Sequence, residues 1–282
     1  MSRPLFRRKL AVMLFVVLIV ASSFLGIIVV QFLAGPHLSF VSFAPHRSAI
    51  VDELSIDYPN PTVVSSLETT MEEAGFSVDL YGPSEVTVEL FRSLPSRRYE
   101  FVLFRVHAAF HNGDAWLFTS EAYSKEELLN KHVVELVTDQ IAPARSFVGE
   151  GRVLAVGPEF IRRSMGNWMG AIVVLAGCYG TAGDSLPKAF VDRGASAVVG
   201  WNQAVSAEHA DLASIQLVKL LFVDKMKVND AVDMVMRQVG PDPSYHSSLT
   251  VYSADHRADE TLWVLPDRPS PKPPDTLAEH AS

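Results

Sequence analysis

The sequence predicts an α/β domain with a mostly parallel sheet, preceded by one N-terminal transmembrane helix. From Ala49 onward, apolar runs rich in β-branched residues alternate with runs that suit helices. Runs such as YEFVLFRVH and AIVVLAGC are apolar over most of their length, which is typical of parallel strands covered on both faces. The segment Leu10 to Leu33 contains no charged residue. It is longer than the roughly 20 apolar residues that a membrane-spanning helix needs.

The first 48 residues divide into three segments: a basic segment at 1–9, the predicted helix at 10–33 and a linker at 34–48. A signal peptide usually has an apolar region of only about 7 to 15 residues, and no small-residue cleavage site closes this run, so we expect an uncleaved anchor. The cluster RPLFRRK precedes the helix. Because basic flanks stay on the cytoplasmic side, we expect a cytoplasmic N-terminus and an extracytoplasmic domain at the cell membrane.

The main domain, residues 49–265, opens as βαβαβ with AIVDELSI, NPTVVSSLETTMEEAG, FSVDLY, SEVTVELFRSL and YEFVLFRVH. In the first helix Asn60 is the expected cap, and Pro61 suits the first turn. Next come the edge hairpin strand DAWLFTSE, the helix SKEELLNKHVVELV, RVLAVGPEFIRR, the buried strand AIVVLAGC, the helix SLPKAFVDRG and the strand SAVVGW. Two helices, AEHADLASIQLVKLLFVDKM and VNDAVDMVMRQVG, and a last short strand TLWVL complete the domain. The proline-rich residues 266–282 are expected to form a disordered tail.

Composition restricts the partners that this domain can bind. Of the residues in the chain, 48% are hydrophobic and 20% are charged. This hydrophobic share is large enough to form a folded core. The formal net charge of the chain is −8, and the basic segment at 1–9 makes the remainder more acidic still. Because nucleic acid phosphates need compensating Lys and Arg, we expect no nucleic acid partner. A peptide or protein substrate, and the membrane through the N-terminal helix, are the expected partners.

In open parallel sheets, reactive side chains lie beyond the carboxyl ends of the strands, and two residues of this sequence are expected there. Cys178, the only cysteine, ends the run IVVLAGC, and His107 ends FVLFRVH. A lone cysteine is either a small core side chain or a reagent. If the two strands are neighbours, thiol and imidazole share one edge as nucleophile and general base. Gly177 then leaves room for backbone amides to hold an oxyanion.

The base has a second candidate. His111 is followed by Asn112 and Gly113, and this loop can fold back over the same edge of the sheet. We favour His107 because it terminates its strand.

The stretch AIVVLAGCYGTAGDSLPKAFVDRGASAVVGWNQAVS, followed by LLFVDKMKVNDAV, resembles the caspase-like clan of cysteine peptidases, and within it the CHAT and gingipain-like branches. In those branches a strand ends in a small residue followed by Cys, and the next helix ends in the pattern Phe, a few residues, then Gly-Ala. The histidine precedes the cysteine in the sequence. The likeness covers Ala49 to Val239. It implies a three-layer α/β sandwich with a mostly parallel caspase-like sheet, a dyad of His107 and Cys178, and no cofactor. The family typically has Gly directly after its histidine as an oxyanion donor, whereas Ala108 stands here, although its amide can still donate.

The resemblance also implies an acidic specificity pocket for a Lys or Arg side chain of the substrate. Asp184 and Asp211 are the candidates for it. The alternatives are that Asp184 caps the helix beginning at Ser185 or Leu186, and that Asp211 is an ordinary solvated helix residue.

Two other chemistries are weaker on sequence grounds. GDSL, ending at Leu186, is the signature of a serine hydrolase family, but in that family the serine follows the first strand, whereas Ser185 follows at least four. A zinc site made of His107, His111 and Asp114 needs a shared helix face, and this region is strand and turn instead. We therefore expect no metal. The sequence favours a membrane-anchored cysteine endopeptidase, and the alternative of another class is a catalytically inactive caspase-like module that binds peptides or partners.

Overall fold

A six-stranded sheet, sheet A, forms the centre of the computed structural model, which describes residues 46–145 and 151–253. Its strands follow the spatial order β10, β9, β8, β3, β1, β2, and all are parallel except β10. They are β1 (His46–Asp52), β2 (Phe76–Tyr81), β3 (Phe101–Arg105), β8 (Ile172–Leu175), β9 (Ala197–Trp201) and β10 (Leu249–Ser253). The two central strands β3 and β8 are buried along their whole length, which is why their sequences are apolar at every position except Arg105.

Helices cover both faces of sheet A. The α-helices of the described residues are α1 (Pro61–Glu73), α2 (Val88–Ser93), α3 (Lys125–Lys131), α4 (Val133–Val137), α5 (Pro158–Arg163), α6 (Ser185–Asp192), α7 (Ala207–Val218) and α8 (Val228–Gln238). One apolar cluster joins α1, α7 and α8 to one face, and a second cluster joins α2, α5 and α6 to the other. The predicted cap of α1 is confirmed, because the Asn60 side chain accepts from the Val63 amide at 3.4 Å and Pro61 is the first helical residue.

A second, antiparallel sheet follows β3 directly. This sheet B has the order β4, β5, β7, β6. Its strands are β4 (Ala108–His111), β5 (Asp114–Ala122), β6 (Ile141–Arg145) and β7 (Arg152–Val156). The hairpin between β4 and β5 turns at Asn112 and Gly113, whose φ angles of 52° and 86° suit a two-residue turn. One face of sheet B joins the apolar cluster that contains α2, α5 and α6.

The predicted α/β class and mostly parallel sheet are confirmed, and so is the prediction that the strands before His107 and Cys178 are neighbours. β3 and β8 pair in parallel from Phe101 opposite Ile172 to Phe104 opposite Leu175. The interpretation of DAWLFTSE as an edge strand was wrong. It forms β5, which lies inside sheet B between β4 and β7.

The described residues all belong to one compact unit that begins at Pro45. Within 46–145 and 151–253, no helix is both long enough and apolar enough to cross a membrane. The predicted transmembrane helix at 10–33, the strand TLWVL and the tail at 266–282 lie outside the described residues.

Candidate active site

His107 and Cys178 line the same cavity, of about 230 Å³, at the carboxyl edge of sheet A. His107 lies two residues beyond β3, and Cys178 lies three residues beyond β8. The cavity also has Tyr58, Val205 and Glu208 in its walls. The two residues that the sequence singled out therefore line one cavity.

The close approach of the two strand ends depends on Gly177. A Cβ atom at this position would lie only 2.1 Å from the carbonyl oxygen of Val106 and 3.9 Å from the amide nitrogen of Ala108. Only a residue without a side chain permits this contact between the backbones that carry His107 and Cys178. Gly177 thus allows the two backbone segments that carry His107 and Cys178 to come into contact.

His107 is held by two carboxylates from the segment after β1. Its Nε2 lies 2.9 Å from Oδ2 of Asp57, and its backbone amide donates to Oε2 of Glu53 at 2.7 Å. Asp57 is almost fully buried, and its other oxygen, Oδ1, has no hydrogen-bond partner among the described residues. Since a carboxylate only accepts, the contact fixes the proton on Nε2 and makes Nδ1 the basic nitrogen. The ring also lies between Tyr58 and Phe118, with centroid distances of 5.9 and 6.2 Å.

Electrostatics keep His107 neutral near pH 7. Burial lowers the pKa of its imidazole, as does the positive charge of Arg105, and both outweigh the opposite effect of Asp57. Burial also raises the pKa of Glu53 to about 7, and the nearby carboxylates Asp57 and Asp52 add to this rise. A neutral imidazole is the form that can accept a proton.

Arg105 organises the loop that presents Asp57. Its guanidinium forms two bonds to Asp211, at 2.7 and 2.9 Å, and one to Asp52 at 2.8 Å. It also donates to the Ser55 hydroxyl at 3.1 Å and to the Tyr58 carbonyl at 2.9 Å. All five N–H donors of an arginine are used, although this side chain is only 1% exposed. The buried charge thus ties β3 to the segment after β1 and to α7.

The Cys178 thiol is packed against the chain before α7. Its Sγ lies 3.5 Å from the carbonyl oxygen of Val205 and 3.4 Å from the Val205 amide nitrogen. Burial raises the pKa of this thiol, an effect that the Val205 amide only partly offsets. The described arrangement therefore pairs a neutral thiol with a neutral imidazole, and thiolate formation requires proton transfer from sulfur to the ring.

The amide of Ala108, the predicted oxyanion donor, belongs to a buried residue that is not among those lining the cavity. In the β4–β5 hairpin, the Phe118 amide donates to the His107 carbonyl at 2.9 Å, so positions 107, 109 and 111 form the hydrogen-bonded pairs. The N–H of Ala108 consequently points away from β5, on the side where Gly177 approaches. The side chain at 108 does not affect this geometry, because the donor belongs to the backbone.

The predicted specificity residues do not line the cavity. The Asp211 carboxylate is buried against Arg105 and also accepts from the Asn60 amide group at 2.9 Å, so it is neither a solvated residue nor open to a substrate cation. Asp184 is exposed and its side chain does not cap α6. The acidic residue that lines the cavity is Glu208, in the first turn of α7.

The remaining sequence candidates have other surroundings. His111 packs on Trp116 with ring centroids 5.4 Å apart and lines a different cavity. Asp114 caps α6, since its carboxylate accepts from the Ser185 and Leu186 amides at 2.8 and 3.0 Å. Asp114, and not Asp184, is therefore the helix cap.

The described residues contain no group of three or more His, Cys, Asp or Glu side chains that could hold a metal ion. The supporting residues Asp57, Glu53 and Arg105 were missed at the sequence level. A signal for them existed, because Asp57 and Glu53 follow a strand that ends at the same edge of the sheet as β3.

Comparison of the chain with models of known protein families gives no match, and a search among curated proteins gives no significant match. The assignment of a function therefore depends on the residues and geometry described above.

Proposed function

We propose that the protein is a membrane-anchored, outward-facing cysteine endopeptidase of the caspase-like type, with Cys178 as nucleophile and His107 as general base. The observation that carries the proposal is the shared cavity, which is lined both by the thiol of Cys178 and by an imidazole whose Nε2 contacts a buried carboxylate. The helix-covered, mostly parallel sheet agrees with the three-layer sandwich of that clan. The N-terminal anchor is part of the proposal and is carried by the sequence alone.

The proposed reaction begins with a peptide carbonyl in the cavity. His107 accepts the thiol proton as the sulfur of Cys178 attacks the carbonyl carbon, and a backbone amide beside Gly177, which lines the cavity, donates to the resulting oxyanion. The imidazolium then donates this proton to the leaving amine as the C–N bond breaks. Water, deprotonated by the same imidazole, hydrolyses the thioester and restores the thiol. Asp57 stabilises the imidazolium that exists between these steps.

Glu208 is the proposed contact for a basic substrate side chain. It replaces Asp184 and Asp211 in this role because it lines the cavity beside the reactive pair. An acidic wall suits Lys or Arg, so Glu208→Gln should weaken cleavage after these residues more than cleavage after neutral ones.

The test compares variants of the full chain in a peptide-cleavage assay. Cys178→Ala should abolish cleavage, and Cys178→Ser should lose nearly all of it, because a hydroxyl needs a stronger base. His107→Ala should lose roughly 100-fold or more in kcat/KM, whereas His111→Ala serves as the matched control and should stay near wild type. Activity that survives Cys178→Ala but is lost in Ser185→Ala would move the chemistry to the serine.

One observation favours a second candidate function, a peptide-binding module without catalysis. The thiol contacts Val205, and burial raises its pKa, which is opposite to a preformed thiolate and imidazolium pair. Iodoacetamide labelling distinguishes the two. If His107 acts as the base, His107→Ala should slow alkylation of Cys178 at neutral pH, and if the module is silent the two rates should be equal.

A further inference from the structure

The amino edge of sheet A, opposite the candidate site, carries a basic surface. β3, β8 and β9 are parallel neighbours, so the segments that precede them meet at this edge. Residues 92–98 contain three arginines and no acidic residue, and residues 159–170 contain two arginines and one glutamate. Residues 188–194 contain one lysine, one arginine and one aspartate. We call the surface of these three segments the amino-edge patch. It is basic, although the chain as a whole has a net charge of −8.

Backbone contacts join the three segments of the patch. The Met165 amide donates to the Arg92 carbonyl at 3.2 Å, and the Trp168 amide donates to the Arg193 carbonyl at 2.8 Å. The Arg193 guanidinium in turn donates to the Ser164 carbonyl at 2.9 Å. The basic side chains of the three segments therefore belong to one continuous surface.

The amino-edge patch combines exposed apolar side chains with cations. Met165 is 53% exposed and Met169 is 62% exposed. Arg97, Arg98 and Arg193 form no ion pair with a carboxylate of the described residues, since Arg97 donates to hydroxyl groups and Arg193 to backbone carbonyls. A bilayer surface with anionic lipids is bound by this combination, because the apolar side chains enter the headgroup region and the cations attract the phosphates.

The chain enters the domain beside the patch. β1 begins at His46, and the Arg47 guanidinium donates to the Arg97 carbonyl at 2.7 Å. Twelve residues, 34–45, separate β1 from the uncharged segment 10–33. Twelve residues span at most about 40 Å. A membrane anchor at 10–33 would therefore keep this edge of the sheet within reach of the bilayer.

We propose that the amino-edge patch binds the surface of an anionic phospholipid bilayer and thereby holds the carboxyl edge of sheet A away from the lipid. The inference rests on the proposed function, because the N-terminal anchor is part of that proposal. Two observations favour a bilayer as the occupant. They are the charge complementarity with anionic headgroups and the short link between the patch and the segment 10–33.

This contact restricts the substrates that the candidate site can reach. β3 runs from Phe101 at the amino edge to Arg105, and His107 lies two residues further. At roughly 3.3 Å per residue, the histidine is about 20 Å from the patch. The suitable substrates are therefore polypeptide segments that stand clear of the membrane surface, and not segments buried in it.

The experiment uses the full chain in lipid nanodiscs, with a nitrobenzoxadiazole label at one position. Cys178 is the only cysteine, so every labelled protein carries Cys178→Ala and one new cysteine. Met169→Cys puts the label in the patch. Ile56→Cys is the matched control, because Ile56 is 49% exposed and follows β1 at the carboxyl edge. The discs contain phosphatidylcholine alone or an equal mixture with phosphatidylglycerol, and a doxyl-labelled lipid quenches any label that reaches the bilayer.

In the mixed discs the label at position 169 should lose roughly half of its emission, because a side chain in the interface lies only about 5–10 Å deep. The label at position 56 should lose none. Discs of phosphatidylcholine alone should quench the label at position 169 severalfold less, since they lack the anionic headgroups. Raising the salt to 1 M reduces the Debye length to about 3 Å and should likewise remove most of the quenching.

Variants that remove charge supply a second comparison. Each basic residue near an anionic surface contributes about fivefold to binding. Arg98→Gln combined with Arg163→Gln should therefore lower the quenching at position 169 severalfold. Lys125→Gln combined with Lys131→Gln removes two exposed cations from α3, outside the patch, and should leave the quenching unchanged. Circular dichroism melting establishes that the variants are folded, and the salt comparison needs no change to the arginines.

The outcomes separate this inference from the proposed peptidase and from its anchor. The inference is overturned by equal quenching at both positions, by quenching that is independent of phosphatidylglycerol, or by quenching that survives loss of both arginines, even when the wild type cleaves peptides. Quenching confined to position 169 and to the mixed discs supports it, even when no peptide is cleaved. A wild-type chain that co-purifies with the mixed discs alone supports the patch and refutes the anchor.

Discussion

Replacing Gly177 by Ala should separate the two chain segments that form the candidate site. The new Cβ would lie 2.1 Å from the Val106 carbonyl oxygen, whereas real Cβ contacts are essentially never shorter than 3.0 Å. The obstacle is backbone, so the strand ends must move apart by about 1 Å, and a displacement of this size can lower a catalytic rate about 100-fold. Overpacking of this kind also costs about 1–3 kcal/mol of stability.

The assay combines thermal unfolding with peptide cleavage on the full chain. For a domain of this size, each kcal/mol lowers Tm by about 2–4 °C, so a clear shift is expected. The control is Gly82→Ala, whose Cβ would meet nothing closer than a flexible Glu85 oxygen at 3.9 Å. Gly82 has a φ of −74°, which alanine adopts readily, so this variant should match the wild type.

The reasoning is refuted if Gly177→Ala retains both the Tm and the kcat/KM of the wild type. That result would mean that the strand ends are not in contact as described. A lowered Tm with unchanged cleavage would keep the contact but remove its importance for the reaction.

Three further predictions concern acidic residues. Asp57→Asn should lower kcat/KM by roughly 100-fold and shift the acidic limb of the pH profile to lower pH, because the carboxylate raises the pKa of His107. Asp114→Ala should lower the free energy of unfolding in urea by about 1 kcal/mol through loss of the α6 cap, and Asp184→Ala should leave it unchanged. The pKa of Glu53 rises from 4.5 to about 7 on folding, so the folded state binds the proton more tightly and stability falls as pH rises through this interval. This effect lowers the free energy of unfolding by about 3 kcal/mol above pH 7, and Glu53→Gln should abolish it. Urea titrations at pH 5 and pH 8 measure the change in the free energy of unfolding between the two pH values. If this change is the same in Glu53→Gln and in the wild type, the prediction is wrong.

The sequence was sufficient to predict the central strands and the position of Cys178 because uninterrupted apolar runs suit few structures other than buried strands. It was insufficient for sheet B. β6 contains Pro143 and gives no strand pattern by itself, so it becomes a strand only by pairing with β7. Asp57 was missed because its role depends on a contact with His107, fifty positions away, that no local pattern records.

The Arg105 network also has a consequence for the order in which the site is completed during synthesis. Its guanidinium needs carboxylates from both Asp52 and Asp211, and a buried charge that lacks a partner is strongly destabilising. His107 and Cys178 both leave the ribosome before Asp211 does, since chains emerge from the N-terminus. The loop that holds Asp57 can therefore close over His107 only after α7 has been made. A nascent chain that already carries both reactive side chains would remain without an assembled site until about three quarters of its 282 residues have emerged.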